Sequence, residues 1–137
     1  MSKSFGYEIK REFRKPVADL FAAMLDGDVL KELWGLKKIT FTSENPKEAY
    51  AEMTIGDENW NFELLYDSII KDKHLSWKVR FDRAPEKEIL VSILFSGGSD
   101  SGKLVVSQSN FDSKEESDAN EKAWKASLTK LEGILEK

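Results

Sequence analysis

A chain of 137 residues, 40% apolar and 11% aromatic, is long enough for one domain with one hydrophobic core. Its net charge of −4 offers nothing to attract nucleic acid or an anionic membrane, and the absence of cysteine removes disulfide frameworks, thiol nucleophiles and thiolate metal sites. The opening stretch MSKSFGYEIKREF lacks an apolar signal core and no segment approaches the ~20 apolar residues of a membrane span, so the expectation is a soluble cytoplasmic protein without membrane insertion.

Residues 5–13 alternate, with Phe5, Tyr7, Ile9, Arg11 and Phe13 on one side and Gly6, Glu8, Lys10 and Glu12 on the other, the period of a half-buried strand. Pro16 suits the first turn of a helix, Val17, Leu20, Phe21, Met24 and Leu25 continue at helical spacing, and Asp26-Gly27 ends the run. Asp28 is placed to cap a second short helix carrying Val29, Leu30, Leu33 and Trp34, with Gly35 just past its end. Strand patterns follow for about seventy-five residues. Ile39 and Phe41 mark one strand, Asn45-Pro46 a turn, Ala51, Met53 and Ile55 the next strand, and Gly56 to Asn59 another turn. Trp60, Phe62, Leu64 and Tyr66 then share one face against Asn61, Glu63 and Asp67. Lys71-Asp72-Lys73 is a hairpin tip, Trp77, Val79 and Phe81 alternate with Ser76, Lys78 and Arg80, and Asp82 to Lys87 reads as a loop. Ile89 to Phe95 and Leu104 to Phe111 are the last two strands, joined by the turn Gly97 to Gly102.

From Ser113 to Leu135 the pattern predicts a long helix. Ser113 and Glu116 form an S-x-x-E capping box, and Asp118 to Lys122 and Glu121 to Lys125 are acid-before-base pairs at i,i+4. At ~100° per residue, Trp124, Leu128, Leu131 and Leu135 fall in one arc with the polar Asn120 and Ser127, so one face must be buried. Strands joined by short turns make an antiparallel sheet, and about seven twisted strands curl and need a cover. The fold class is therefore α+β, a single domain over residues 1–137: a curved antiparallel sheet in the order β-α-α-β6-α, wrapped around the C-terminal helix, with room for a cavity between them.

No catalytic residue, metal-ligand set or cofactor motif emerges. His74, the one histidine, reads as a rim residue. The turn Gly97-Gly98-Ser99-Asp100-Ser101-Gly102 lacks the lysine and following helix of a phosphate loop. Glu52, Glu63 and Asp67 lie opposite the aromatics and read as solvated. Arg11 either emerges at the sheet end to reach water or enters the cavity and anchors an acidic group. Trp34, Trp60, Phe62, Tyr66, Trp77, Phe81 and Trp124 either line a cavity or fill it as core. In a ligand site, Asn120 and Ser127 supply orientation while the aromatics supply burial.

Arg11-Glu12-Phe13 followed by Pro16 and Phe21, then Leu33-Trp34, Gln108-Ser109-Asn110-Phe111 and the Trp124, Leu128, Leu131, Leu135 helix resemble the bacterial homologues of the activator of the heat-shock-90 chaperone ATPase, within the START and Bet v 1 helix-grip superfamily. Where family members resemble H-x-x-G-W in the helix, this chain has Asn120, Ala123 and Trp124. The resemblance implies a helix-grip domain that binds a hydrophobic small molecule or a partner protein. Three functions follow as expectations: non-enzymatic binding of an aromatic or lipid-like molecule, a co-chaperone module acting on a heat-shock chaperone, and an enzyme of the cyclase or hydrolase kind. The expected assembly is a monomer or weak homodimer.

Overall fold

The computed structural model describes residues 5–42, 48–55 and 57–136. In chain order the elements are β1 (Phe5–Phe13), α1 (Val17–Ala23), α2 (Gly27–Trp34), β2 (Leu36–Phe41), β3 (Glu48–Ile55), β4 (Glu58–Ile70), β5 (His74–Phe81), β6 (Ala84–Gly97), β7 (Gly102–Phe111) and α3 (Lys114–Leu135). All seven strands form one antiparallel sheet in the order β1-β7-β6-β5-β4-β3-β2. Because β2 to β7 are hairpin neighbours while β1 joins β7, the first and second strands become the two edges. The helix-grip architecture expected from the sequence is thus the observed one. The expected Asn45-Pro46 turn and Gly56 lie outside the described residues.

Local chemistry explains the boundaries. The Asp26 backbone is extended and its carboxylate accepts from the N–H groups of Asp28 (2.9 Å) and Val29 (3.3 Å), so Asp26, and not the expected Asp28, caps α2. Gly35 ends α2 in the left-handed conformation (φ 65°) that glycine adopts without steric cost. Ser113 caps α3 by accepting from the Glu116 N–H at 3.1 Å, as the capping box requires. Glu121 pairs with Lys125, whereas Asp118 pairs with Lys114 and not with the expected Lys122. The Gly97–Gly102 connection also serves α1, whose Val17 N–H donates to the Gly98 carbonyl. Strand β6 begins at Ala84, inside the expected loop, because β5 and β6 continue pairing past an irregularity that sets Arg80 opposite Glu88 but Phe81 opposite Ala84.

Three further irregularities shape the sheet. Asp67 is an extra residue in β4, Lys37 one in β2, and β7 bulges opposite Gly6, where Asn110 takes a positive φ of 76°. Such bulges sharpen twist and bend the strand. A side chain at Gly6 would collide with the Gln108 carbonyl, so that strand contact requires glycine. The concave face of the sheet buries Ile9, Leu64, Leu75, Ile93, Leu104 and Val106. Helix α3 packs along β1, α2 and the edge of β7, and α1 covers β6 and β7. The middle of the concave face, from β3 to β5, therefore receives little helix backbone.

Candidate functional site

That gap is a cavity of about 440 Å³, within the usual range for small-molecule sites. Strands form its floor with Phe62 and Leu64 of β4, Trp77 and Val79 of β5, Val91 of β6 and Gln108 of β7. Helix α3 supplies Asn120, Ala123, Trp124, Ser127 and Lys130, the end of α2 brings Leu33 and Trp34, and Leu36 and Met53 close the side. Alternation places the strand residues: each is an inward position of a period-two strand, and helix-period spacing puts Asn120, Trp124 and Ser127 on one stripe.

Aromatic packing sets the walls. Trp34 lies with its ring centre 6.3 Å from Trp77 and 5.9 Å from Trp124, the latter edge to face, which joins α2, β5 and α3 through one side chain. Trp77 and Trp124 are buried and Trp34 is half-buried. Side-chain hydrogen bonds fix the helix above the floor. Ser127 Oγ donates to the carbonyls of Leu33 and Ala123, both at 3.1 Å, so the hydroxyl proton is used in tying α3 to the end of α2. Tyr7 Oη donates to Asn120 Oδ1 at 2.6 Å, bridging β1 to α3. Burial, reinforced by the Glu121 carboxylate, pushes the Tyr7 phenol far above its ordinary range, so it stays a neutral donor. Among the described residues Lys130 is the one charged lining side chain, and its Nζ donates to the Glu32 carbonyl at 3.2 Å.

Of the residues singled out by sequence, Trp34, Phe62, Trp77, Asn120, Trp124 and Ser127 line this cavity, while Arg11, Trp60, Tyr66 and Phe81 lie outside it. Trp60 packs edge to face on Phe81 and takes the Arg83 guanidinium over its ring at 5.0 Å. Tyr66 packs on Trp77 and Phe41, with its hydroxyl buried and unpartnered. Arg11 reaches Thr129 Oγ1 (3.4 Å) and Glu132 (4.0 Å) across α3. Sequence reasoning missed Tyr7 and Gln108 as polar groups of the site. Strand alternation could have found both, since Tyr7 shares the parity of Ile9, and Gln108 that of Leu104 and Val106.

The remaining candidates face the opposite side of the sheet. Glu52 and Glu63 line a separate groove of about 400 Å³ with Lys38 and Arg80. Arg80 is bound to Glu88 at 2.6 Å, which raises the guanidinium and lowers the carboxyl relative to their ordinary values. His74 lies between Ser68 Oγ (2.9 Å from Nδ1) and Ser92 Oγ (3.0 Å from Nε2), so both ring nitrogens are engaged by hydroxyls. Among the described residues no group of three His, Cys, Asp or Glu could hold a metal ion, and no helix is long and apolar enough to cross a membrane.

In three dimensions the chain is similar to the Mll3558 protein of Rhizobium loti, with a TM-score of 0.79 at 14% identity over 96% of each chain. A START superfamily protein of Mycobacterium smegmatis is similar at a TM-score of 0.78 and 12% identity, covering 96% of this chain and 97% of the other. Ara h 8.0201 is similar at 0.77 and 16%, with the same coverages. These likenesses show the START and Bet v 1 fold. No curated protein matches the chain in sequence. Residues 14–136 match the family described as Activator of Hsp90 ATPase homolog 1-like protein, a span that omits little beyond β1, and the chain belongs to that family.

Proposed function

We propose that the protein binds a hydrophobic small molecule, aromatic or lipid-like, in the cavity beneath α3, without converting it. The observation that carries this reading is the open space of about 440 Å³ walled by Trp34, Trp77 and Trp124, where a protein interior is otherwise close-packed. A non-catalytic role is supported by the lining, which holds no carboxylate or histidine among the described residues. General acid–base chemistry needs a group titrating near neutral pH. A cytoplasmic location is part of the same proposal.

Native mass spectrometry of freshly purified protein, with analysis of what the denatured protein releases, is the direct test. A stoichiometric hydrophobic adduct is expected, together with stabilisation by a panel of long-chain alcohols and polycyclic aromatics. Binding at a hundred times Kd stabilises by ~2.7 kcal/mol. No adduct and no stabilisation across the panel would overturn the reading. A second reading, contact with a heat-shock chaperone, is favoured by the family's description and by Tyr50, Leu90 and Leu94, large side chains exposed on the outer face. It is discarded if the protein neither captures such a chaperone nor stimulates its ATPase.

A further inference from the structure

Buried polar side chains are nearly always hydrogen-bonded, because leaving one unpaired forfeits its hydration without return. Among the described residues four buried side-chain atoms have no partner: Tyr66 Oη, Trp77 Nε1, Arg80 Nε and Gln108 Oε1. Three of them belong to a single row across the sheet. Pairing sets Tyr66 opposite Trp77, Trp77 opposite Val91, Val91 opposite Gln108, and Gln108 opposite Tyr7. Within that row Trp77, Val91 and Gln108 line the cavity floor. Gln108 is 6% exposed and Trp77 2%.

Two residues of the floor thus each hold an unpartnered buried polar atom, the Trp77 indole N–H and the Gln108 amide oxygen, on strands flanking β6 with Val91 between them. The amide is held at the end of a soft torsion, so it turns towards an occupant at little cost. A hydroxyl is the group that fits both, accepting from Trp77 and donating to Gln108. A carboxylate would be buried against the uncharged residues Phe62, Leu64, Trp77, Val79, Val91 and Gln108 with no cation on the floor to balance it, which costs more than the two hydrogen bonds return. Lys130, a charged lining residue, projects from α3 and is bound to the Glu32 carbonyl.

We infer that Gln108, assisted by Trp77, is the polar anchor of the cavity and that its ligand is a neutral apolar molecule carrying a hydroxyl, such as a phenol or a long-chain or polycyclic alcohol. This inference rests on the cavity being a ligand site. The test uses naphthol and methylnaphthalene, which differ by one hydroxyl for one methyl, as competitors that displace anilinonaphthalene sulfonate from the full chain and from Gln108→Leu.

The wild-type protein is expected to prefer naphthol by roughly three- to tenfold, the worth of one hydrogen bond. Gln108→Leu is expected to lose that preference while keeping its affinity for methylnaphthalene, with an unchanged or higher Tm because an unpaired buried acceptor has been removed. Equal binding of the two by the wild type overturns the ligand class, and a preference surviving in Gln108→Leu overturns the anchor. A Tm lowered by several degrees overturns the claim that Gln108 is unpaired in the free protein. If Gln108→Leu does not fold, Gln108→Met is read in the same way. Displacement by neither compound from the wild type counts against the ligand site itself, a result distinct from all of these.

Discussion

The same substitution at two tyrosines has opposite expected effects. Tyr7→Phe deletes a 2.6 Å hydrogen bond to Asn120 and leaves the Asn120 oxygen without its donor. Asn120 is half-buried beside an open cavity, so water compensates in part and the loss lies near the lower end of the range for a broken pair, about 1–2 kcal/mol. For a domain of this size that is a fall in Tm of about 3–10 °C. Tyr66→Phe deletes a hydroxyl that is buried and bonded to nothing, keeping the ring against Trp77 and Phe41. Removing an unsatisfied polar group is neutral or stabilising, so Tm should hold or rise by a few degrees. Both variants are compared with the wild type by urea and thermal unfolding followed by circular dichroism. In a double-mutant cycle Tyr7→Phe is also combined with Asn120→Ala, and the two should couple by about 1 kcal/mol. Equal losses at the two tyrosines, or no coupling between Tyr7 and Asn120, would refute the reasoning.

Burial raises both phenols, Tyr7 and Tyr66, above the ordinary value of 10.0 that the unfolded chain retains. The contribution is therefore whole below pH 10 and is lost as pH rises above it, by up to ~1.4 kcal/mol per pH unit for the buried Tyr66 and by less for the more exposed Tyr7; Tyr66→Phe should shallow the alkaline loss of stability measured by urea melts at pH 9 to 11.5. Ser127→Ala removes the donor to the Leu33 carbonyl and should cost about 1–2 kcal/mol in urea unfolding, loosening α3 from α2. Gly6→Ala forces β1 away from the Gln108 carbonyl and should cost about 1–3 kcal/mol, an expectation that an unchanged unfolding midpoint would defeat.

Elements whose signals are local were readable from the sequence. The capping serine of α3, the helical spacing of Trp124, Leu128 and Leu131, and period-two strands joined by polar turns each act within a few residues, and together they dictate the helix-grip order. The position of a residue along the cavity is not local. Trp60 and Phe81 have the expected parity, yet they stand where β4 and β5 meet near the β5–β6 turn and pack on each other. Tyr7 and Asn120 are 113 positions apart, and no pattern near either announces the bond. Gln108 follows the parity of Leu104 and Val106, but the neighbouring Val105 is also apolar and the bulge at Asn110 returns Phe111 to the buried face, which blurs the alternation. Ser127 was legible as an inward polar residue, whereas its acceptor on Leu33 depends on how α2 docks.

An open sheet has two rims where backbone groups await a partner, and any second copy offering a strand could anneal there. One rim, β1, presents exposed Glu8, Lys10 and Glu12 in alternation, so an approaching strand meets charge at every other residue. The other, β2, carries the exposed pair Lys37 and Lys38 and is thrown out of step by the extra residue at Lys37. A strand laid along β2 loses its ladder at that point and gains two lysines that must surrender hydration. The bulge that bends the sheet over its cavity thereby also guards against cross-β growth, so partial melting of the rims exposes poor templates for aggregation.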